Sequence, residues 1–294
     1  MTLLDTSVPV ANSVAVSTPA ISSHPTPIKR AFTVAVTSGK GGVGKTNLAV
    51  GLATLLAQSH NVVLVDADMG LANANVLCGV VPRQNLAHVV EGQCSLADIL
   101  THTAARFRFV PGASGIASMA ALTQRQREDL LAQLETLQST SDIVLFDTGA
   151  GIGREVLAFT QNVDHVLLVT TPEPTAMLDA YAVLKVLTRA KISGQISMVV
   201  NQAKSLHEAE MVHFNIISVA QQFLQTQVPL LGHVLLDPNV PLAVRQRTGF
   251  VRAYPRSPAT ASLRTVAQGV ERLLAAARPE ASPSFFHRLF SWWG

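Results

Sequence analysis

A chain of 294 residues and 31.2 kDa, 48% hydrophobic and only 14% charged, has the material for a large α/β domain and is not a disordered protein. Its formal charge of +3, with a pI near 9.1, neither requires nor excludes a nucleic-acid or anionic-lipid partner. Two cysteines, Cys78 and Cys94, are too few for a disulfide framework or a zinc site, and no apolar run has the length of a membrane span.

Residues 1–29 read as a flexible extension rich in Ser, Thr, Val, Ala and Pro, with Pro25 and Pro27 keeping its end extended. It has no basic residue before Lys29 and so does not read as a signal peptide. It carries no chemistry of its own and would serve at most as a docking segment.

An α/β domain is expected over 30–278. It opens with an apolar strand, Phe32–Val36, and then Gly39-Lys40-Gly41-Gly42-Val43-Gly44-Lys45-Thr46, with a helix expected from Asn47 to Gln58. Strand, glycine loop and helix in that order form a phosphate-binding loop. Glycines let several backbone N–H groups converge on one anion, and the N-terminus of the following helix, at Thr46 and Asn47, adds its own donors. Lys45 is placed to reach the β- and γ-phosphates of a nucleotide, and the Thr46 hydroxyl to ligate Mg²⁺. Lys40 would face outward, either solvated or toward the nucleotide of a second subunit.

The next apolar run, Asn61–Asp66, shows no alternation, as in a parallel sheet covered on both faces. It ends in Asp66-Ala67-Asp68. Two carboxylates at the carboxyl edge of such a sheet suit a Mg²⁺–nucleotide centre, Asp66 near the metal and Asp68 orienting the attacking water; the alternative is that they cap the next turn.

Residues 82–103 read as short helices and turns, and Arg106–Val110 as a short strand. Thr123–Leu137 is an amphipathic helix with Leu130, Leu131, Leu134 and Leu137 inward. A second strand ending in aspartate follows, Asp142–Asp147, continued by Thr148-Gly149-Ala150-Gly151. This Walker-B-like pattern places Asp147 near the metal.

Further β–α units come at His165–Thr170 with a helix from Pro174, and at Gln195–Asn201 with a helix over Glu208–Leu224. The last strand is expected at Leu230–Leu236 and the last domain helix at Pro258–Ala277. Asn201, at a strand end, has an amide suited to the edge of adenine, or is simply a turn-former. The Asp237-Pro238 loop would close over base or ribose. The order of elements predicts one doubly wound, predominantly parallel sheet with helices on both faces, in the manner of a P-loop NTPase.

After a linker from 279, Phe285, Phe286, Leu289, Phe290, Trp292 and Trp293 fall within an arc of about 160° on a helix. Burying each gains roughly 1.5–3 kcal/mol at most, and ordering about ten residues costs roughly 1–2 kcal/mol apiece. The small balance predicts weak membrane binding by one copy and firm binding by two. The alternative is a tail folded into a groove of its own domain or onto a protein partner.

Lys40 through Thr46, Asp66-Ala67-Asp68 and Asp147-Thr148-Gly149-Ala150-Gly151 together resemble the deviant Walker A ATPases of the MinD/ParA family. Asp66 through Gly79 and the Asp-Thr-Gly-Ala-Gly form of the second motif resemble its flagellar branch, the regulators of flagellar number and placement. The resemblance implies an ATP- and Mg²⁺-dependent homodimer in which Lys40 contacts phosphate across the interface. It also implies that Asp66 supports switch I, that Asp147 belongs to switch II, that Asn201 reads adenine, and that the C-terminal helix targets anionic lipid at the inner face of the cell membrane.

Partners implied by that branch are a signal-recognition-particle-type flagellar GTPase and a flagellar transcription activator. The activating Asp-Gln-Ala-x-x-Leu-Arg element of some members is absent from residues 1–30. Division-site placement is a rival output within the family. DNA-cargo partitioning is another, kept open by Arg245, Arg247, Arg252 and Arg256. A nucleotide-dependent binding module without turnover is a rival of a different class. A metallocluster reductase is disfavoured by the placement of Cys78 and Cys94.

Overall fold

The computed structural model describes residues 30–68, 73–112, 123–277 and 284–293. In chain order the elements begin β1 (Phe32–Ser38), α1 (Lys45–Leu56), β2 (Val62–Ala67), α2 (Ala74–Cys78), α3 (Leu86–Val90), α4 (Leu96–Ile99), β3 (Thr101–His102) and β4 (Arg108–Val110). They continue with α5 (Gln124–Ser139), β5 (Ile143–Ala150), α6 (Arg154–Thr160), β6 (His165–Thr170), α7 (Pro174–Arg189) and β7 (Gln195–Ala203). Then come α8 (Leu206–Leu224), β8 (Leu230–Leu235), α9 (Asn239–Arg245), α10 (Phe250–Ala253), α11 (Pro258–Ala276) and α12 (Phe285–Trp293).

The unalternating apolar runs became strands buried on both faces; every residue of β1, β2 and β6 is buried. The eight strands lie in the order β3-β4-β2-β5-β1-β6-β7-β8, and every neighbouring pair is parallel except β3 with β4. Alternate side chains of each strand feed two cores. Leu48, Leu52, Phe250 and Leu263 from α1, α10 and α11 cover one face, while Leu134, Phe159, Leu184 and Ile216 from α5 to α8 cover the other.

This is the doubly wound sheet that the order of elements predicts. The departures are local. Helix α1 starts at Lys45 rather than Asn47, because Gly44 takes a left-handed conformation (φ 91°) and serves as its N-cap. The strand β3 and the helices α2, α6, α9 and α10 have no counterpart among the expected elements; each is too short to display a period.

The tail forms the expected helix and folds onto its own domain. Phe285, Phe286, Leu289 and Phe290 are buried among residues of β5, α5 and α6. The Phe285 ring centroid lies 4.4 Å from that of Phe146 and 6.2 Å from that of Phe159. Arg288 donates to the Asn162 carbonyl from Nε (3.2 Å) and Nη2 (2.5 Å), and its Nη2 is 3.7 Å from the Asp164 carboxylate. Asp164 also accepts from Arg30 (2.6 Å) and from the backbone and hydroxyl of Thr33. So the four inward residues of the stripe are satisfied within the monomer. The side chains of Trp292 and Trp293, like residues 1–29, lie outside the described structure. No described helix is long and apolar enough to cross a membrane.

Candidate active site

Strand register assembles the site. Strand β5 runs between β1 and β2, and its Asp147 pairs with Asp66 on one side and Val36 on the other. Both carboxylates therefore sit at the carboxyl edge of the sheet, beside the loop that leaves β1. Asp147 is buried, and burial pushes its pKa up to about 7; the Thr46 hydroxyl bonded to it acts in the opposite sense, and the neighbouring Asp66 adds to the rise. Asp66 is likewise pushed up to about 6 by burial, while accepting the N–H groups of Asp68 and Ala74 at 3.2 Å each.

Lys45 is only 8% exposed. Burial lowers its pKa, and the charges of Asp147 and Asp68 partly restore it. An ammonium held in this way gains a further stabilising partner when a polyphosphate enters. Asp68 lies against the carboxyl end of β5: a Cβ placed on Gly149 would be 3.4 Å from its Oδ1. Residues 69–72, part of the flagellar-type pattern that runs from Asp66 to Gly79, lie outside the described residues.

The donor set fits Mg²⁺. Asp147 Oδ1 is buried with no hydrogen-bond partner, and the Thr46 hydroxyl and Asp66 are its neighbours. Among the described residues no three or more His, Cys, Asp or Glu side chains form a metal cage. Thr46, Asp66 and Asp147 offer the few protein oxygens that Mg²⁺ takes, its shell being completed by phosphate and water.

Lys40 points to α7 of its own chain, where it donates to Glu173 and to the Thr175 hydroxyl (2.7 Å). This draws the Glu173 carboxyl below the ordinary range, the Lys40 bond being the main cause. The loop touches the same helix at Gly39, where a Cβ would fall 2.2 Å from the Asp179 carbonyl oxygen, so only glycine fits. The sequence predicts only a helix start at Pro174; the pairing of Glu173 with Lys40 has no local signal, the partners being 133 residues apart.

Asn201 lies at the bottom of the loop, its amide donating to the Val43 carbonyl at 2.7 Å. The Asp237 carboxylate accepts the N–H groups of Asn239 (2.9 Å) and Ala259 (3.0 Å), fastening α9 and α11. Burial, the largest single influence, would raise the Asp237 pKa, but the hydrogen bonds from Ala259, Asn239 and Ser257 together more than reverse it and the net shift is downward. Pro238 is the residue from which α9 starts. Gly41 and Gly42 are exposed at the rim, and Asn47 lies in the first turn of α1 with a buried, unpartnered Oδ1.

A family model described as "ParA: NUBPL iron-transfer P-loop NTPase" matches residues 29–271. The chain belongs to the MinD/ParA family of P-loop ATPases. It is 38% identical over 266 residues to the antiactivator FleN of Pseudomonas aeruginosa, covering 90% of this chain and 93% of that one. It is 30% identical to the flagellum site-determining protein YlxH of Helicobacter pylori, covering 89% and 90%. Among solved structures, MinD of Pyrococcus horikoshii, complexed with Mg-ADP, superposes with a TM-score of 0.67 at 23% identity, over 86% of this chain and all of that one. In this member of the MinD/ParA family, Cys78 is a buried thiol whose pKa burial raises far above the ordinary range, and Cys94 is half-buried.

Proposed function

We propose that this protein is an ATP-hydrolysing switch that controls flagellar number or placement, dimerising with ATP and attaching reversibly to the inner membrane face through α12. When bound, Mg-ATP supplies the cleavable γ-phosphoryl group and the divalent charge. Lys45 and the N–H groups of the loop hold the phosphates, the Thr46 hydroxyl and Asp147 hold Mg²⁺ with Asp66 in support, and Asp68 orients the water. Lys40 leaves Glu173 to reach the nucleotide of the second subunit. Likeness to FleN and YlxH supports the flagellar output.

The observation that carries the switch is the adjacency of Asp147 and Phe146. One belongs to the candidate metal centre and the next residue back holds the tail helix. A change in β5 or in the loop before α6 acts on both. The burial of four side chains does not exceed the cost of ordering nine residues by any large margin, so the docked tail is releasable.

The test is co-sedimentation with phosphatidylglycerol–phosphatidylethanolamine vesicles, paired with flagellar counts in a deletion strain. ATP, and not ADP, drives the wild type onto vesicles, and Lys45→Ala stays in solution. Binding by Lys45→Ala at wild-type strength would sink the coupling. Normal flagella with minicells would move the output to division-site placement.

A second reading, partitioning of DNA cargo, has one observation behind it. Residues 238–270 contain Arg245, Arg247, Arg252, Arg256 and Arg264 and no Asp or Glu, and all five arginines are exposed. Turnover stimulated by DNA and not by vesicles would favour it.

A further inference from the structure

We propose that Asn201 is a positioning residue for the phosphate loop, setting affinity for the phosphates and not only for the base; the inference rests on the nucleotide reading above. The side chain comes from a bent strand end. The pairing of β7 with β8 shifts register between Val200 and Ala203, and Gln202 takes φ 58°. Such an irregularity re-aims a side chain that a regular ladder would turn elsewhere. Here it carries Asn201 under the loop, where it is 7% exposed.

Two contacts then fix its role. The amide donates to the Val43 carbonyl at 2.7 Å, a bond across 158 residues of chain. A carbonyl accepts only, so the NH₂ end faces Val43 and the Oδ1 faces away. The nitrogen end of the amide also packs against the next residue: a Cβ on Gly44 would stand 2.4 Å from Nδ2. Val43 and Gly44 are the last two residues before α1, which begins at Lys45. Asn201 therefore holds the turn that aims Lys45 and the first N–H groups of the helix.

Without the amide, the Val43 carbonyl is left in a buried setting with no partner (Val43 itself is 3% exposed), and the loop relaxes to solvate it. The second N–H and the Oδ1 are still free to read a base edge, so the two roles are compatible. They differ in what they predict. A reader of adenine acts on ATP alone, whereas a brace for the loop acts on any polyphosphate.

The experiment measures KM and kcat for ATP and for ITP, and inhibition by Mg-tripolyphosphate, in wild type, Asn201→Ala and Asn201→Leu. Leucine keeps the shape of the side chain without its donor, and thermal melting shows which variants are folded. The expected result is a rise of about tenfold or more in both KM values and in the tripolyphosphate inhibition constant, with a smaller change in kcat. Unchanged ITP and tripolyphosphate values, with ATP alone weakened, would overturn the inference and leave Asn201 as a reader of the base. A wild type that binds neither ATP nor tripolyphosphate would overturn the nucleotide reading itself.

Discussion

The ring of Phe285, in the tail helix, lies 4.4 Å from the ring of Phe146, the residue immediately before Asp147. Strand period two sends these neighbours of β5 to opposite faces, so the candidate metal centre and the tail groove share one strand without sharing a side chain.

That groove is latched by charge as well as by rings. Asp164 holds Arg30 at 2.6 Å and lies 3.7 Å from Arg288, so Asp164→Asn loosens the tail without altering the tail itself. The expected loss is about 1 kcal/mol, a roughly fivefold gain in nucleotide-free vesicle binding. Sedimentation indistinguishable from wild type would remove Asp164 from the latch.

Lys40 in the single chain is occupied by Glu173 and Thr175. If it crosses to a second nucleotide, Lys40→Ala lowers kcat by about 10²–10³, as for loss of one charge-stabilising donor, with a smaller change in ATP affinity. Turnover in wild type then rises steeply with protein concentration. A variant with normal kcat would show that Lys40 belongs to α7 alone.

Asp237 was expected to close over the nucleotide, and its carboxylate is engaged in fastening α9 and α11. Asp237→Ala should cost about 1–3 kcal/mol of stability through two unsatisfied N–H groups. The readout is a fall in Tm with KM for ATP little changed. A large KM change at constant Tm would restore the nucleotide role.

His165 is buried against Ser197 (3.0 Å), and burial pushes its pKa down to about 4. The unfolded chain titrates near 6.5, so between those values it binds more protons than the folded one, and stability falls as pH drops from about 6.5 to 4. The full effect is about 3 kcal/mol. The raised carboxyls of Asp66 and Asp147 act in the opposite sense over part of that range, so the measurement is the difference in Tm between wild type and His165→Asn across pH 4–7. A pH-independent difference would contradict the assignment.

Much of this architecture was readable from residues alone. The glycine loop, both strands ending in aspartate and the β–α order are local patterns, and the structure brings Lys45, Thr46, Asp66 and Asp147 together at one sheet edge. What was not readable is pairing over distance. Asn201 with Val43, Lys40 with Glu173 and Asp164 with Arg288 are each more than a hundred residues apart. The tail is the instructive case. An apolar stripe at helical spacing specifies that one face is buried, and it is the same stripe whether the burying surface is lipid or Phe146 and Phe159.

Phe285, Phe286, Leu289 and Phe290 complete the interior around Leu134, Phe146 and Phe159, so the tail is a piece of the core. In the proposed cycle a molecule anchored by those side chains is a molecule with its roof off. Each moment at the bilayer leaves an apolar cleft open to water, and the tail's own vacancy draws it back. Residence at the membrane would then be self-limiting, timed by the domain's need to be covered again.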